Sequence, residues 1–381
     1  MWNNPITLLG GTYTAFINTY SFVPNGPLST LSLVGQSPGQ SSTWISLHPK
    51  NCSLLFSTVE LATEPGSIAS FIIDSGGLVR QIDQTPSFGN SPPHLAIVND
   101  GKEVIAPNYS SGNVASHILG EDQAYFVSTG NLVTFNGSGP NRARQASSHP
   151  HEAVQYGDEV FIPDLGADKQ PLGSGPRHIV PLKGKLYTIH EMGNTVTEQV
   201  IPPLDDTEPQ ELLANISTLP PTVPPGSLYN AAELFVSPPS IHYPTPYLYG
   251  SNRNVSPLPA QTDPLGDTIA IFALEPKLHL VRHVHTGLQQ LRGVSLGGEH
   301  GQYVAAAGLQ VEASRCSSAS MGVRISNSSR AMMEWARRKS LALYGPRPEV
   351  TISLRVGRPA VFSSEGTYMI FSESGEHAFS Y

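Results

Sequence analysis

One recurring pattern restricts the fold of this chain more than any other feature. Each copy has an apolar strand start, a turn with Gly, Pro, Asn or Asp, and a β-branched or aromatic run that ends on small polar residues. The copies lie at 44–60, 94–112, 151–166, 177–194, 233–254, 292–308 and 359–375. Two short strands around a turn are typical of a β-hairpin, so the sequence predicts seven hairpins.

A second strand pair follows most of the hairpins, for example at 66–83 and 267–285. Two inner and two outer strands repeated at a spacing of roughly 50 residues are the signature of a four-stranded propeller blade. The sequence therefore predicts an all-β fold, a single seven-bladed β-propeller domain over residues 1–381. The strands expected between Ile6 and Phe22 precede the first hairpin, so they should complete the last blade and close the ring, which hides its edges.

Two stretches depart from the repeat. Only 26 positions separate His151 from Arg177, about half the usual spacing, so the third blade is predicted to be truncated. The segment 312–347 is rich in Ser and Arg where an outer strand pair is expected. Its later part is predicted to be a helical insertion, with Ser329 as a candidate cap and Gly345-Pro346 as the stop.

Composition and charge favour this interpretation and point to a small partner. The chain has 35 Gly and 34 Pro but only 14% charged residues, which suits short strands and turns. A net charge of −8 argues against a general attraction to nucleic acid or to an anionic membrane. The basic cluster WARRKS at 335–340 is read as a solvated helix face. We therefore expect a small-molecule substrate, no nucleic acid and no membrane.

The sequence shows no targeting or cofactor signal. Its N-terminus lacks a basic region followed by an apolar run, and no apolar stretch approaches the ~20 residues of a membrane helix. Cys52 and Cys316 stand far apart and form no CxxC motif. These features predict a soluble, cytoplasmic protein. The motifs GxGxxG and GxxxxGK[ST] are absent, so no cofactor is predicted.

Candidate site residues lie at strand ends between positions 145 and 194. His149 and His151 are two positions apart and so lie on the same side of a strand. Arg177 and His178 follow a Gly-Ser-Gly-Pro turn, and Glu191 ends an apolar strand. Imidazole, guanidinium and carboxylate groups are what an acid/base site needs. Partial burial is expected to raise the pKa of Glu191 toward the working range of a general acid or base.

Each candidate also has a structural interpretation. The two histidines are either acid/base groups or hydrogen-bonded structural residues, and a metal pair would lack a third ligand nearby. Arg177 either clamps an anion or forms a salt bridge between blades, and Glu191 could be the partner that holds it. Arg253, on a loop after an aromatic strand, is predicted to bind an anion. Arg292 is either a further cation of the pocket or an anchor of the sixth blade.

An ordered set of short motifs carries a family resemblance. They are GTYT (11–14), NYSSG (108–112), SHPHE (148–152), PDLGAD (163–168), GSGPRH (173–178), HEMGNT (190–195), Ala-Glu (232–233) and GSNRN (250–254). In this order the set resembles the lactonase family of seven-bladed propellers, which groups bacterial 6-phosphogluconolactonases with fungal carboxy-cis,cis-muconate cyclases. Asp164 and Asp168 within these motifs are interpreted as turn-forming caps, and Glu233 as structural.

The resemblance implies lactone chemistry on a small anionic substrate without a metal ion. In a hydrolase acting on a sugar lactone such as 6-phosphogluconolactone, Glu191 or a histidine activates water, and arginines stabilise the oxyanion and hold the phosphate. In a cyclase, the carboxylate of the substrate adds across its own double bond. A non-catalytic binding scaffold is the third interpretation, since a fold does not fix a function. The hydrolase is our leading prediction, with catalytic roles for His149, His151, Arg177 and Glu191 and substrate-binding roles for His178, Arg253 and Arg292.

Overall fold

The computed structural model describes nine stretches of the chain. They are residues 5–24, 30–61, 64–168, 171–203, 210–241, 243–298, 301–310, 321–326 and 368–372. Within them, regular structure consists of β-strands and two single-turn 3₁₀ helices, Asn99–Gly101 and Pro259–Gln261. The described residues therefore form an all-β protein.

The strands are numbered in chain order. They are β1 (Ile6–Gly11), β2 (Phe16–Val23), β3 (Thr30–Pro38), β4 (Ile45–His48), β5 (Asn51–Val59), β6 (Pro65–Ile73), β7 (Val79–Asn90), β8 (Ala96–Val98), β9 (Glu103–Asn108), β10 (Asn113–Leu119), β11 (Phe126–Thr134), β12 (Val154–Tyr156), β13 (Glu159–Phe161), β14 (Pro176–Leu182), β15 (Lys185–His190), β16 (Thr195–Val200), β17 (Leu212–Ser217), β18 (Tyr229–Val236), β19 (Tyr247–Asn254), β20 (Thr268–Ala273), β21 (His279–His285), β22 (Leu288–Gly297), β23 (Tyr303–Gln310), β24 (Met321–Ser326) and β25 (Tyr368–Ser372).

The described strands pair into seven antiparallel sheets. Five of them have four strands, in the orders β25-β1-β2-β3, β4-β5-β6-β7, β8-β9-β10-β11, β14-β15-β16-β17 and β18-β19-β20-β21. The remaining two are the two-stranded sheet β12-β13 and the three-stranded sheet β22-β23-β24. In most sheets the first two strands form a hairpin that the sequence predicted. The alternation of apolar runs and turns therefore predicted these strands correctly.

The sheets follow one another around a cycle. The first strand of each sheet contacts the first strand of the next, in the order β4, β8, β12, β14, β18, β22 and β25, and β25 contacts β4 again. Antiparallel sheets repeated around an axis make a β-propeller, so that prediction is confirmed. The N-terminal strand β1 pairs with β25, with Leu8 opposite Phe371.

The hydrophobic core lies between neighbouring sheets and not at the axis. One cluster joins Ile189 of β15 to Leu248 and Phe272 of the next sheet, and all three side chains are fully buried. Another joins Phe56 of β5 to Val104 of β9. Burying each such side chain contributes about 1.5–3 kcal/mol. Because apolar packing is satisfied between sheets, the polar ends of the innermost strands are left to line the axis.

Of the two stretches predicted to depart from the repeat, the structure describes the third hairpin but only a small part of 312–347. The third hairpin forms the two-stranded sheet β12-β13, and no further strand occurs among the described residues between Phe161 and Pro176, in agreement with the short spacing. Of the segment 312–347 only Met321–Ser326 is described, and it is a strand paired with β23. The predicted helix at 329–345 lies outside the described residues, as does the first half of the seventh hairpin.

Candidate active site

Aromatic and imidazole side chains meet across the ring. Trp44 precedes β4 and His178 belongs to β14, and their sheets are three positions apart in the cycle. Their rings nevertheless stand 5.7 Å apart, edge to face. The ring of His94, which precedes β8, lies 4.1 Å from Trp44 and 5.9 Å from His178. Contacts between distant sheets place these side chains at the axis of the propeller.

A register shift marks the start of β14, where Arg177 and His178 lie. Both are buried, as are the next two residues, so the strand is covered on both of its faces. The pairing of β14 with β15 shifts between Pro176 and His178, which re-aims a side chain as bulges near active sites do. Gly175 precedes the bulge with a φ of 65°, a conformation that favours glycine.

Similar register shifts recur in the next two innermost strands. The pairing of β18 shifts between Ala231 and Leu234, around Glu233, and that of β22 shifts between Gln289 and Gly293, around Arg292. Three successive innermost strands are therefore irregular where a charged residue approaches the axis. This shared irregularity explains why strict alternation along a strand does not identify the site.

Three arginines surround one buried carboxylate, and we call this group the arginine cluster. Arg177 Nη1 donates to Glu191 Oε2 at 2.6 Å, and Arg253 Nη2 lies 3.1 Å from the same oxygen. Arg144 Nη2 donates to Oε1 at 2.6 Å. Arg177, Arg253 and Glu191 are almost completely buried, whereas the side chain of Arg144 is 38% exposed. Short charge-assisted contacts of this kind hold all four groups in place.

The predicted pKa shift of Glu191 is wrong in direction. Burial alone raises the pKa of a carboxyl group, as the sequence prediction assumed. Here Arg253, Arg177 and Arg144 outweigh burial and hold the pKa of Glu191 far below its ordinary value. The carboxylate stays ionised at any physiological pH, so it is poorly suited to exchange protons. Its contacts instead match the alternative in which Glu191 holds Arg177.

A second group, the histidine cluster, consists of His94, His151, Glu152, His178 and Glu233. His178 Nδ1 lies 3.4 Å from Glu233 Oε2 and 3.8 Å from Glu152 Oε1. Glu152 Oε1 is also 3.8 Å from His94 Nε2, while its Oε2 accepts the backbone N–H of Ile179 at 2.6 Å. The ring of His151 is 5.2 Å from that of His178. One imidazole thus sits between two carboxyl groups contributed by neighbouring sheets.

Burial sets the protonation of this cluster. It raises the pKa of Glu152 from 4.5 to about 7, in spite of the opposing effects of His178 and the Ile179 N–H. Burial, reinforced by the positive charges nearby, lowers the pKa values of His94 and His151 well below 6.5. Both imidazoles are therefore neutral near pH 7, whereas Glu152 titrates there.

Three imidazole nitrogens at the axis lack a hydrogen bond. Among the described residues, neither ring nitrogen of His178 nor His151 Nδ1 has a hydrogen-bond partner, although all three are buried. A buried polar atom without a partner is costly unless water or a ligand satisfies it. The histidine cluster therefore presents imidazole nitrogens that water or a ligand at the axis can satisfy.

The remaining predicted residues fall at the edges of the site. The prediction that His149 and His151 lie on the same side of a strand is wrong, because both precede β12. His149 stacks on Tyr109 with ring centroids 4.4 Å apart, and its Nδ1 lies 2.8 Å from the Tyr109 carbonyl oxygen, so it is not part of either cluster. Arg292 Nη1 donates to Tyr13 Oη at 3.0 Å, and its charge contributes to lowering the pKa of His151. Arg292 thus lies within electrostatic reach of the histidine cluster.

The two turn-forming aspartates shape the chain around the site. Asp164 Oδ1 accepts the N–H groups of His149, Gly166 and Ala167. Asp168 Oδ2 accepts those of Ser174 and Gly175 at 2.8 and 3.1 Å. Asp168 thereby fixes the turn from which Arg177 projects. The interpretation of both aspartates as turn caps is confirmed.

Sequence reasoning missed three residues of the site, Arg144, His94 and Glu152. Glu152 lies inside the SHPHE motif, but the acid/base role was assigned to the histidines of that motif. His94 begins the second hairpin directly before an apolar run, the same position that Arg177 and His178 occupy in the fourth. Alignment of the repeats would have identified it. Arg144 lies in a connection between sheets and carries no repeat signal.

The described part of the chain contains neither a metal-binding group nor a membrane-spanning helix. No three His, Cys, Asp or Glu side chains within it are arranged to hold a metal ion. None of its helices is long and apolar enough to cross a membrane. The chemistry available at the axis is that of guanidinium, imidazole and carboxyl groups.

Fold and site together define a β-propeller with a cationic, histidine-rich axial site. The sequence matches the lactonase family, described as a 7-bladed beta-propeller, over residues 7–171 and 169–313. The chain belongs to this family, as the ordered motifs predicted.

Similar proteins carry lactonase names. A protein of Arthroderma benhamiae named "Probable 6-phosphogluconolactonase" is 27% identical over 318 residues, 76% of each chain. The 6-phosphogluconolactonase of Bacillus subtilis is 29% identical over 170 residues, which cover 39% of this chain and 48% of that protein.

Solved structures agree on the fold. A protein from Lactobacillus plantarum superposes with a TM-score of 0.69 and 20% identity, covering 97% of this chain and all of the other. The periplasmic gluconolactonase of Pseudomonas aeruginosa gives a TM-score of 0.64 at 19% identity, covering 84% of this chain and 99% of that one. Since that relative is periplasmic, the cytoplasmic location of this protein stays a prediction.

Proposed function

We propose that this protein is a lactonase that hydrolyses a small anionic sugar lactone at the axis of the propeller. The arginine cluster is the observation that carries the proposal. Its three guanidinium groups share one ionised carboxylate, so these four groups have an excess of two positive charges. A partly desolvated positive excess favours an anionic ligand. The lactonase names of the relatives supply the reaction class.

The two clusters divide the work of lactone opening. The arginine cluster binds the anionic substrate, and Arg253 is one of its substrate-binding groups. Arg177 is the neighbour of His178 in β14, and its guanidinium stabilises the negative charge that develops on the carbonyl oxygen during attack by water. Glu191 keeps the two buried arginines in position and exchanges no proton.

His178 is the best-oriented general base. Its Nδ1 faces Glu152 and Glu233, which favour the imidazolium form as it appears. Its Nε2 takes a proton from water as the new C–O bond forms, then returns that proton to the ring oxygen as the lactone C–O bond breaks. His151, whose Nδ1 also has no hydrogen-bond partner among the described residues, is the second candidate for this step. No step requires a metal ion.

The same clusters suit one alternative, a carboxymuconate cyclase. Three arginines could hold the several carboxylates of 3-carboxy-cis,cis-muconate, while a histidine delivers a proton to carbon. The non-catalytic scaffold is less favoured, because Arg177, Glu191 and Arg253 converge beside the histidine cluster. We further propose that each of the seven sheets is one blade, that β1 and β25 close the ring, and that the protein is cytoplasmic.

Steady-state kinetics test the proposed reaction. The purified protein is assayed on 6-phosphoglucono-δ-lactone, on glucono-δ-lactone and on 3-carboxy-cis,cis-muconate, each corrected for its spontaneous rate. We expect hydrolysis of a lactone, and a fall in kcat of about 10²–10⁴-fold in His178→Gln, the usual contribution of acid/base catalysis. His279→Gln, on the exposed outer strand β21, serves as the matched control.

The outcomes separate the three interpretations. Turnover of the muconate alone would favour the cyclase. A folded protein that accelerates none of the three reactions would support the scaffold. Lactone hydrolysis that survives intact in His178→Gln but is lost in His151→Gln would keep the reaction and move the general base to His151.

A further inference from the structure

The three arginines of the arginine cluster differ in their access to solvent. Arg177 and Arg253 are 4% and 2% exposed at the side chain and both approach Glu191 Oε2. Arg144 is 38% exposed and approaches the other oxygen, Oε1. A ligand entering from solvent therefore meets Arg144 before it meets the two buried arginines.

The backbone that carries Arg144 is firmly anchored. Gln145, the next residue, is completely buried, and its side-chain amide donates to Asp168 Oδ1 and to the Leu165 carbonyl oxygen. Its own side-chain oxygen accepts the N–H of Asn141 at 3.1 Å, and its backbone N–H donates to the Asn141 carbonyl oxygen at 2.7 Å. The chain is thus fixed at position 145, while the long side chain of Arg144 extends to Glu191, which follows β15.

Release of Arg144 from Glu191 would not strand a buried charge. Glu191 Oε2 keeps its contacts with Arg177 and Arg253 at 2.6 and 3.1 Å. Breaking a buried ion pair is expensive chiefly because it leaves one charge uncompensated, and here two cations remain. Arg144, whose side chain also contacts that of Tyr109, is consequently the member of the cluster that can exchange its carboxylate for another anion without leaving Glu191 uncompensated.

Resting on the proposed function, we propose that Arg144 is a specificity-determining residue that leaves Glu191 Oε1 to bind the phosphate of a phosphorylated sugar lactone. A guanidinium fork matches phosphate oxygens geometrically, so the exchange replaces one charge-assisted contact with a paired one. Arg144 then selects phosphorylated over unphosphorylated lactones, while the buried members of the cluster act on both.

The ratio of kcat/KM for 6-phosphoglucono-δ-lactone to that for glucono-δ-lactone measures this selection. In Arg144→Ala the ratio should fall by about 10- to 100-fold, the effect of losing a hydrogen bond to a charged group, and the change should lie mainly in KM. Arg144→Lys should recover part of it, since it keeps the charge but not the fork. Arg142→Ala, which removes an exposed arginine two positions away, should leave the ratio unchanged.

A binding measurement keeps the test independent of catalysis. Calorimetry compares 6-phosphogluconate with gluconate on the wild-type protein and on Arg144→Ala. We expect the wild type to prefer the phosphorylated acid at least tenfold, and Arg144→Ala to lose most of that preference. Equal binding of both acids by the wild type, or an equal loss on both lactones in Arg144→Ala, would overturn the role of Arg144. Absence of lactone hydrolysis with phosphate-selective binding intact would overturn the proposed reaction alone.

Discussion

Glu191 and Glu152 show how neighbours decide the protonation of two equally buried carboxyl groups. Both are almost inaccessible to solvent, and burial raises the pKa of each. Around Glu191 the guanidinium groups reverse that shift, whereas around Glu152 the opposing effects of His178 and the Ile179 N–H are too small to do so. The first is therefore a fixed counter-ion and the second a group that gains and loses a proton near pH 7.

The raised pKa of Glu152 has a consequence for stability. A carboxyl pKa near 7 in the folded state, against 4.5 when unfolded, means that the folded protein binds the extra proton between these values. Its stabilising contribution is complete below about pH 4.5 and is lost as pH rises through about 7. The wild type therefore carries a growing penalty at this site above pH 5.

Glu152→Gln should remove that penalty. Between pH 5 and pH 8 we expect the free energy of unfolding of the variant to improve relative to wild type by about 2 kcal/mol, since each pKa unit corresponds to about 1.4 kcal/mol. Urea denaturation at both pH values measures the difference. A constant difference across this range would mean that Glu152 is already ionised at pH 5.

At the scale of elements, the connection from β11 to β12 contributes residues to both clusters although it has no regular secondary structure. It carries Arg144, His151 and Glu152 to the site, and Gln145 ties it to the Asp168 turn. The same turn positions Arg177 through the N–H groups of Ser174 and Gly175. The buried side-chain amide of Gln145 therefore links the connection that carries Arg144, His151 and Glu152 to the turn that positions Arg177.

Gln145→Ala should loosen this coupling. It leaves Asp168 Oδ1 and the Leu165 carbonyl oxygen without the amide donor, so the free energy of unfolding should fall by about 1–3 kcal/mol. Hydrogen exchange of the backbone between residues 139 and 151 should accelerate. Gln123→Ala, which removes an exposed side-chain contact to Asp100, is the control and should change neither quantity. Unchanged exchange in Gln145→Ala would show that the connection is held by other contacts.

The sequence predicted hairpins far better than it predicted where side chains point. Apolar runs around Gly-rich turns identified β14 and β15, because alternation and turn chemistry are local properties. The register shift between Pro176 and His178 depends on pairing with another strand. No local pattern encodes it, so Arg177 and His178 could be nominated as candidates but the directions of their side chains could not be derived.

At the scale of the molecule, the propeller brings together residues that are far apart in sequence. Trp44 and His178 lie on opposite parts of the ring and meet at the axis. The ordered family motifs nominated Arg177, Glu191 and Arg253 as members of one site, and they do converge. The charge balance among them could not be foreseen, because Arg144 reaches Glu191 only through the folded ring.

The most direct test of the whole account compares an arginine at the axis with one at the rim. kcat/KM for 6-phosphoglucono-δ-lactone is measured for the wild type, for Arg253→Ala, and for Arg282→Ala, which alters the outer strand β21. If hydrolysis takes place at the axis, Arg253→Ala should lose about 10- to 100-fold and Arg282→Ala should match the wild type. Full activity in a folded Arg253→Ala protein would contradict an axial active site.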